Sequence, residues 1–537
     1  MRVCDGSTSL GSDSISRHAH FGAFVPAPSW PYPTYMFRPL PYASLLLAIL
    51  LCTCAPPPEP VAARPPNVVF FLVDDMGWMD SEVYGSEYYD TPNMRRLADM
   101  GMRFTRAYAA NPLCSPTRAS ILSGQHPGRF GMTTPVGHLP PNPDEDLTRT
   151  EGAPWQRVAQ QGVRTFMPLE IVTLAEALRG NGYRTAHMGK WHIGARGYWP
   201  EDQGFDVNVG GMMHPGPPSY FSPYRIANLP DGEEHEYITD RLTTEAANFL
   251  DTIGDTPFYL NLWHFGVHAP YQAPLDLIAK YSERTDPRGK QKSPLMGGMM
   301  EKVDEGLGHV LDKLEAEGLM DNTLFVFFSD NGGNMYDVVH GEFPTNNYPL
   351  TYGKGNIYEG GIRVPAIVAW PGHIEAGSVS DALIQSIDFY PTLLAATRTA
   401  RPARPLDGEN LLPVLTGARE APKREAIFSH FPHYVIATNN LPSTAVWSDH
   451  WKLVREYGEG PDRQPALRLY DLDQDISETT DVAAEHPALV EQLAGMIDAH
   501  VAEIGGLVPV INPKYDPAAE SPLGRTKEFP ADRFPNY

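Results

Sequence analysis

Between residues 67 and about 420, two rhythms of apolar and polar positions alternate along the chain. Asn67-Val68-Val69-Phe70-Phe71-Leu72-Val73 is a continuous apolar, β-branched run that stops at Asp74-Asp75. A run without polar alternation suits a strand covered on both faces. The same shape recurs three times. YRTAHM (183–188) leads into Gly189-Lys190-Trp191-His192, PFYLNLWHF (257–265) leads into Gly266-Val267-His268-Ala269-Pro270, and TLFVFF (323–328) stops at Ser329-Asp330-Asn331. Helical spacing of apolar residues fills the intervals, in TPNMRRLADMG, LEIVTLAEALRGNG, ITDRLTTEAANFLDTIG and MEKVDEGLGHVLDKLEAEGL. Strands alternating with helices predict an α/β domain over 67–420, with a mostly parallel central sheet covered by helices on both faces. In such sheets a ligand site lies beyond the carboxyl ends of the strands, where all four polar clusters fall.

From about residue 421 the rhythm changes. AIFSHF, STAVWSDHWKLVREY and ALRLYDLDQD are short alternating segments with turns between them, followed by the helical HPALVEQLAGMIDAHV. This predicts a smaller C-terminal subdomain over 421–537, an antiparallel sheet plus one helix, with an irregular tail ending in FPADRFPNY.

Residues 1–66 follow neither rhythm. Met36 opens MFRPLPYASLLLAILLCTCA, a basic residue, an apolar run and then cysteines, which is the layout of an export signal. The segment therefore reads as a non-native extension, a signal starting at Met36 and a Pro-rich tether, APPPEPVAARPP. Its apolar run is shorter than the roughly 20 residues a membrane-spanning helix needs. Leu51-Cys52-Thr53-Cys54 resembles a bacterial lipoprotein box, with Cys54 the residue to carry a lipid anchor; cleavage near Ala55 or after Ala63 is the alternative. Either way the expected location is outside the cytoplasm: periplasmic, held on a membrane as a lipoprotein, or secreted. The other cysteines, Cys4 and Cys52, also lie in this region, so Cys114 has no expected disulfide partner.

Charge narrows the function. With 42 Lys and Arg against 65 Asp and Glu, the formal charge is −23, which argues against a nucleic-acid partner. An anionic substrate must then meet a local cluster of cations. Asp74, Asp75, Asp330 and Asn331 would bring four oxygen-bearing side chains together, and three carboxylates that close repel unless a cation joins them. An all-oxygen set favours a hard ion, Ca²⁺ first and Mg²⁺ second, over zinc. Cys114 sits in NPLCSPTRASILS, where Pro116 suits the first turn of a helix and Arg118 falls one turn on. A helix N-terminus beside a guanidinium stabilises an anion, so the thiol is either a small buried residue or an activated nucleophile. A thiolate, however, is a poor companion for a hard cation.

CSPTR matches the C-x-P-x-R core of the sulfatases, and NVVFFLVDDMGW, GKWHIG, HFGVHAP, SDNGG and GKGNIYEGGIRVPAIVAWPG resemble further blocks of that family in the same order. The resemblance implies a formylglycine-dependent sulfatase of the alkaline phosphatase-like superfamily, similar to exported bacterial glycan sulfatases and arylsulfatases. It implies that Cys114 is oxidised to formylglycine (3-oxoalanine) by a formylglycine-generating maturation enzyme. The hydrated aldehyde then supplies an oxygen that attacks the sulfate ester, and residue 114 joins Asp74, Asp75, Asp330 and Asn331 around the cation. By the same resemblance Asp330 takes a proton, Arg118 orients the diol and Lys190 and Lys354 hold the sulfuryl oxygens. His268 would protonate the leaving oxygen, and His192 would remove the proton from the second hydroxyl. Glu359 and Arg363 read as scaffold that pairs near the site.

Two alternatives carry different signatures. A phosphomonoester or phosphonate-ester hydrolase of the same superfamily would favour a Ser or Thr nucleophile and a two-metal, histidine-containing site. A sulfoglycan-binding protein without activity would lack a catalytic group, and none is missing. The expected substrate is a sulfated carbohydrate, with a 4-sulfated galactose or N-acetylgalactosamine unit as the first expectation and a small sulfate ester as the simpler one. GFDVNVGGMMHPGPPSYFSPY (204–224), rich in Gly, Pro and aromatics, is expected to form a rim that stacks on a sugar.

Overall fold

In a computed structural model, which describes residues 26–34, 64–525 and the backbone of 527–529, the 67–73 run is β1 (Asn67–Val73), with every residue buried. Seven more strands share its sheet: β2 (Met102–Phe104), β3 (Arg184–Gly189), β4 (Val207–Val209), β5 (Phe258–Trp263), β6 (Thr323–Ser329), β7 (Ala366–Ala369) and β8 (Ser378–Ser380). Their order is β8-β2-β7-β6-β1-β5-β3-β4. Every pairing is parallel except those of β7, which runs antiparallel to both β2 and β6.

The alternation of side chains along β1 shows why its sequence is apolar throughout. Val68, Phe70 and Leu72 enter one core with Ile121 and Leu122 of α2 (Cys114–Ser123), Leu174 of α3 (Leu174–Gly180) and Phe389 of the helix Phe389–Ala396. Val69, Phe71 and Val73 enter the other with Leu97 of α1 (Pro92–Met100), Leu242 of α4 (Ile238–Asp251), Tyr281 of α5 (Leu275–Ser282) and Leu307 of α6 (Pro294–Ala316). Helices thus cover both faces, and truncating a central ring such as Phe70 to Ala would cost roughly 3–5 kcal/mol.

The second rhythm forms a four-stranded antiparallel sheet, β9 (Ile427–Phe431), β10 (Ser443–Ser448), β11 (Trp451–Glu456) and β12 (Ala466–Asp471). Ala445, Trp447, Val454 and Tyr470 face the first core, while Val446, Leu453 and Leu469 pack on Leu493, Ile497 and Val501 of the helix Pro487–Ile504. A buried polar cluster joins this sheet to the α/β part. Glu359 accepts hydrogen bonds from Tyr108 Oη at 2.8 Å and Trp447 Nε1 at 2.7 Å, and its ion pair with Arg363 closes to 3.4 Å. Lys452 Nζ bridges Glu359 at 3.2 Å and Glu478 at 2.6 Å.

The tail is less irregular than its composition suggests. Val510–Ile511 pairs with Val158–Ala159, and Lys527–Phe529 runs parallel to Asp337–Val339. The described residues from Arg64 onward belong to one compact unit. Residues 26–34 carry no helix or strand, and the signal from Met36, the cysteine box with Cys54 and most of the tether lie outside the described residues. No helix among the described residues is long and apolar enough to cross a membrane.

Candidate functional site

Because β1, β3, β5 and β6 are parallel, their carboxyl ends share one edge of the sheet, and every predicted site residue except those supplied by α2 and by the loop carrying Lys354 lies just beyond it. Asp74 and Asp75 follow β1, and Asp330 and Asn331 follow β6. The Asp75 amide donates to Asp330 Oδ1 at 3.2 Å, and Asn331 Nδ2 donates to Asp75 Oδ1 at 2.8 Å, which ties the two pairs together. Asp74, Cys114 and Asp330 each present a ligand atom within 4.8 Å of the others.

Cys114 opens α2, as Pro116 suggested, but the whole helix is buried and Cys114 is only 1% exposed. The thiol is therefore buried within the site. Gly124 ends the helix in the left-handed region, with its amide bonded to Ser120 O. No side chain caps the N-terminus, so the positive end of the helix dipole points at the carboxylate cluster with no intervening cap.

Three buried cations meet the three carboxylates. Arg118 Nε and Nη2 each lie 2.7 Å from Asp330 Oδ2, while Nη1 donates to Lys190 O at 2.8 Å. Lys190 Nζ donates to Asp74 Oδ2 at 2.6 Å, and Lys354 Nζ donates to Asp75 Oδ2 at 2.8 Å. Two oxygens at the centre, Asp74 Oδ1 and Asn331 Oδ1, are buried without a hydrogen-bond partner. Orphaned buried oxygens cost free energy, and their chemistry fits a hard cation. Burial pushes the Asp74 carboxyl up to about 8, with Asp330 and Asp75 adding to the effect of burial and Lys190 opposing it. Asp75 goes the other way: burial raises it, but Lys354 and His268 outweigh burial and hold it below the usual carboxylate range. Burial also raises the Cys114 thiol despite Lys190 and Lys354, so the thiol is not a preformed thiolate.

The two histidines occupy different positions. His192 Nδ1 lies 3.4 Å from Cys114 Sγ, and the His192 carbonyl accepts from Ser115 Oγ at 2.6 Å, so the first turn of α2 holds both ends of that contact. His268 Nδ1 lies 2.7 Å from the Ala269 carbonyl, which makes Nδ1 the donor and directs Nε2 toward the site, 3.9 Å from Asp75 Oδ2. Burial lowers both rings, helped at His268 by Lys354 and Lys190 and at His192 by Lys190 and His138.

His138 escaped the sequence reading. Its Nδ1 lies 3.0 Å from His192 Nε2. A single histidine in Pro135-Val136-Gly137-His138-Leu139-Pro140 offers no pattern that would single it out. The expected rim at 204–224 is also corrected. Tyr220, Phe221 and Tyr224 are buried in the second core, and Tyr220 Oη donates to the carbonyls of Phe265 and His268 at 2.7 and 2.6 Å. Tyr220 thus supports the His268 turn. Exposed aromatics occur instead in the segment that leads to Lys354: Phe343, Tyr348 and Tyr352.

A family model described as Sulfatase matches residues 66–399, and one described as N-sulphoglucosamine sulphohydrolase, C-terminal, matches residues 350–502. The chain is 30% identical to a protein of Formosa agariphila named Sulfatase over 501 residues, covering 80% of this chain and 86% of that one. It is 34% identical over 382 residues to human N-acetylgalactosamine-6-sulfatase, covering 67% of each. Among solved structures it resembles Ps i-CgsB in complex with k-i-k-neocarrahexaose, with a TM-score of 0.66, 28% identity, and coverage of 81% of this chain and 93% of that one.

Proposed function

The chain belongs to the sulfatase family and is a sulfuric ester hydrolase, and on that premise we propose that it removes sulfate from a carbohydrate with residue 114, as formylglycine, beside one hard divalent cation. The observation that carries this reading is the pair of orphaned oxygens, Asp74 Oδ1 and Asn331 Oδ1, inside a carboxylate cluster that also holds residue 114. Asp74, Asp75, Asp330 and Asn331 would hold the cation, Ca²⁺ before Mg²⁺. When present, the cation would polarise the sulfuryl oxygens and the hydrated aldehyde would offer an oxygen nucleophile where the thiol now lies.

The chain's own residues do the rest. Three carboxylates balance Arg118, Lys190 and Lys354, so a divalent cation leaves the site net positive and able to attract a sulfate monoester. Lys190 and Lys354 hold the sulfuryl oxygens, at no further desolvation cost because both are already buried. Arg118 fixes Asp330, which takes the proton of the attacking hydroxyl. His268 acts as the imidazolium, which Asp75 at 3.9 Å favours: Nδ1–H stays on the Ala269 carbonyl and the Nε2 proton goes to the leaving oxygen, while His192 removes a proton at residue 114 through Nδ1.

Peptide mass spectrometry of active protein is the test. Residue 114 should be about 18 Da lighter than cysteine, as conversion of a thiol to an aldehyde requires. Full activity with an unmodified Cys114, or persistence of activity after exhaustive chelation, would end the proposal. The carbohydrate assignment is supported by the names of the human relative and of the carbohydrate bound in the structural neighbour. Desulfation of a galactose or N-acetylgalactosamine sulfate, compared with a panel of other sulfated sugars and an aryl sulfate, checks it. The layout after Met36 supports export with or without a lipid on Cys54, and fractionation of producing cells with lipid labelling decides between them.

A further inference from the structure

We propose that His138 is a positioning residue for the sulfatase reaction: it accepts the Nε2 hydrogen of His192 and thereby keeps His192 Nδ1 free to take a proton from residue 114. The inference rests on the base role of His192 given above. A neutral imidazole carries one hydrogen, and the hydrogen bond made by one ring nitrogen decides the state of the other. His192 Nδ1 faces Cys114 Sγ at 3.4 Å and its Nε2 faces His138 Nδ1 at 3.0 Å, so the three groups form one hydrogen-bonded chain. With the hydrogen on Nε2, His138 is the acceptor and Nδ1 is the base. With no acceptor there, Nε2 loses its reason to keep the hydrogen.

The backbone is built to bring the two rings together. Gly137 bridges Ile193 in parallel register, and a Cβ on Gly137 would stand 2.1 Å from the His192 carbonyl oxygen. Only glycine permits that approach, and it sets the next residue's ring 5.2 Å from the His192 ring at an interplanar angle of 36°. His192 itself is in the left-handed region at φ 58°, held by Ser115 Oγ on its carbonyl at 2.6 Å. A strained histidine fixed from both sides, with each ring nitrogen facing a distinct partner, is a site in which orientation is specified.

The experiment compares His138→Ala and His138→Gln in the mature enzyme, with residue 114 shown to be converted in each sample. His138→Ala should lower kcat by roughly 10- to 100-fold, the usual cost of losing a partner that orients a functional histidine, with KM little changed. Because His192 acts at residue 114 and not on the leaving group, an aryl sulfate and a glycan sulfate should lose the same factor. His138→Gln, whose amide oxygen can accept the same hydrogen, should recover most of the loss, and added imidazole should partly rescue His138→Ala. A rise in KM with kcat unchanged would make His138 a substrate contact and overturn the proposal. Equal activity of the Gln and Ala variants with wild-type melting temperatures would overturn it too. Loss of activity in His192→Ala establishes the parent reading separately; if that variant stays active, it is the base role of His192 that fails.

Discussion

At the scale of single residues, the two site histidines make opposite demands on the substrate. A sugar alkoxide is a poor leaving group and needs a proton in the transition state, whereas a nitrophenolate scarcely does. His268→Ala should therefore damage glycan desulfation by about 10²- to 10⁴-fold and aryl sulfate hydrolysis far less, while His192→Ala slows both. Steady-state rates on the two substrates decide it, and an equal loss in His268→Ala would refute the leaving-group role. Asn331→Ala removes a neutral oxygen and no charge, so the apparent affinity for calcium should fall without loss of fold, as read by calcium titration of activity after chelation. Residues at strand ends were legible in the sequence because a buried strand that stops on two acids announces both its end and its chemistry. His138 was not, since its importance lies in a contact made across 54 residues of chain. The tyrosines of 204–224 were misplaced for a related reason: glycine and proline mark a loop but do not say which way its rings turn.

Among elements, the buried cluster around Glu359 is what ties the C-terminal sheet to the catalytic strands. Lys452 is the shared cation, and burial pushes Glu478 up to about 7, with Lys452 opposing that rise and Glu359 adding to it. Removing one member of a buried ionic group leaves the others uncompensated, so Lys452→Met should cost roughly 3–5 kcal/mol, measured as a lower urea midpoint. Adding Glu478→Gln should recover part of that loss; a double variant less stable than Lys452→Met alone would contradict the account. The strands that flank the site and the helices α1, α3, α4 and α6 between them could be read from periodicity. The reversed direction of β7 could not, because a short apolar run such as Ala366–Ala369 has the same pattern whichever way it points. The first turn of α2 was visible through Pro116, whereas its burial on every side was not, since a helix of small residues has no apolar face to recognise.

Over the whole molecule, acid should loosen the seam between the α/β part and the C-terminal sheet. His126, from the turn after α2, packs its ring 5.0 Å from that of His500, and the His430 amide points at His126 Nε2 at 3.4 Å. Burial lowers His430 and His500 from the ordinary 6.5 to about 4 each, and burial together with His500 and His430 holds His126 well below that ordinary value. Depressed folded values mean that the unfolded chain binds protons first, so stability is full above about pH 6.5 and is lost as pH falls toward about 4. Each shift of that size corresponds to about 3 kcal/mol. Urea midpoints measured between neutral and mildly acidic pH should fall, and His500→Phe, which preserves the ring stack on Phe428 at 4.1 Å, should flatten the slope. An unchanged slope in that variant would move the acid sensitivity elsewhere. The complete burial of α2 has a further consequence, for the order of events in the life of the chain. On the formylglycine proposal, a modifying enzyme would have to seat the peptide around residue 114 in its own active site, and none of α2 is accessible once the sheet has closed over it. Conversion would then have a deadline set by folding: a chain that folded first would be a well-formed but permanently blank enzyme. Its activity in any host would be decided by a race between two rates, and only unfolding would let the race be run again.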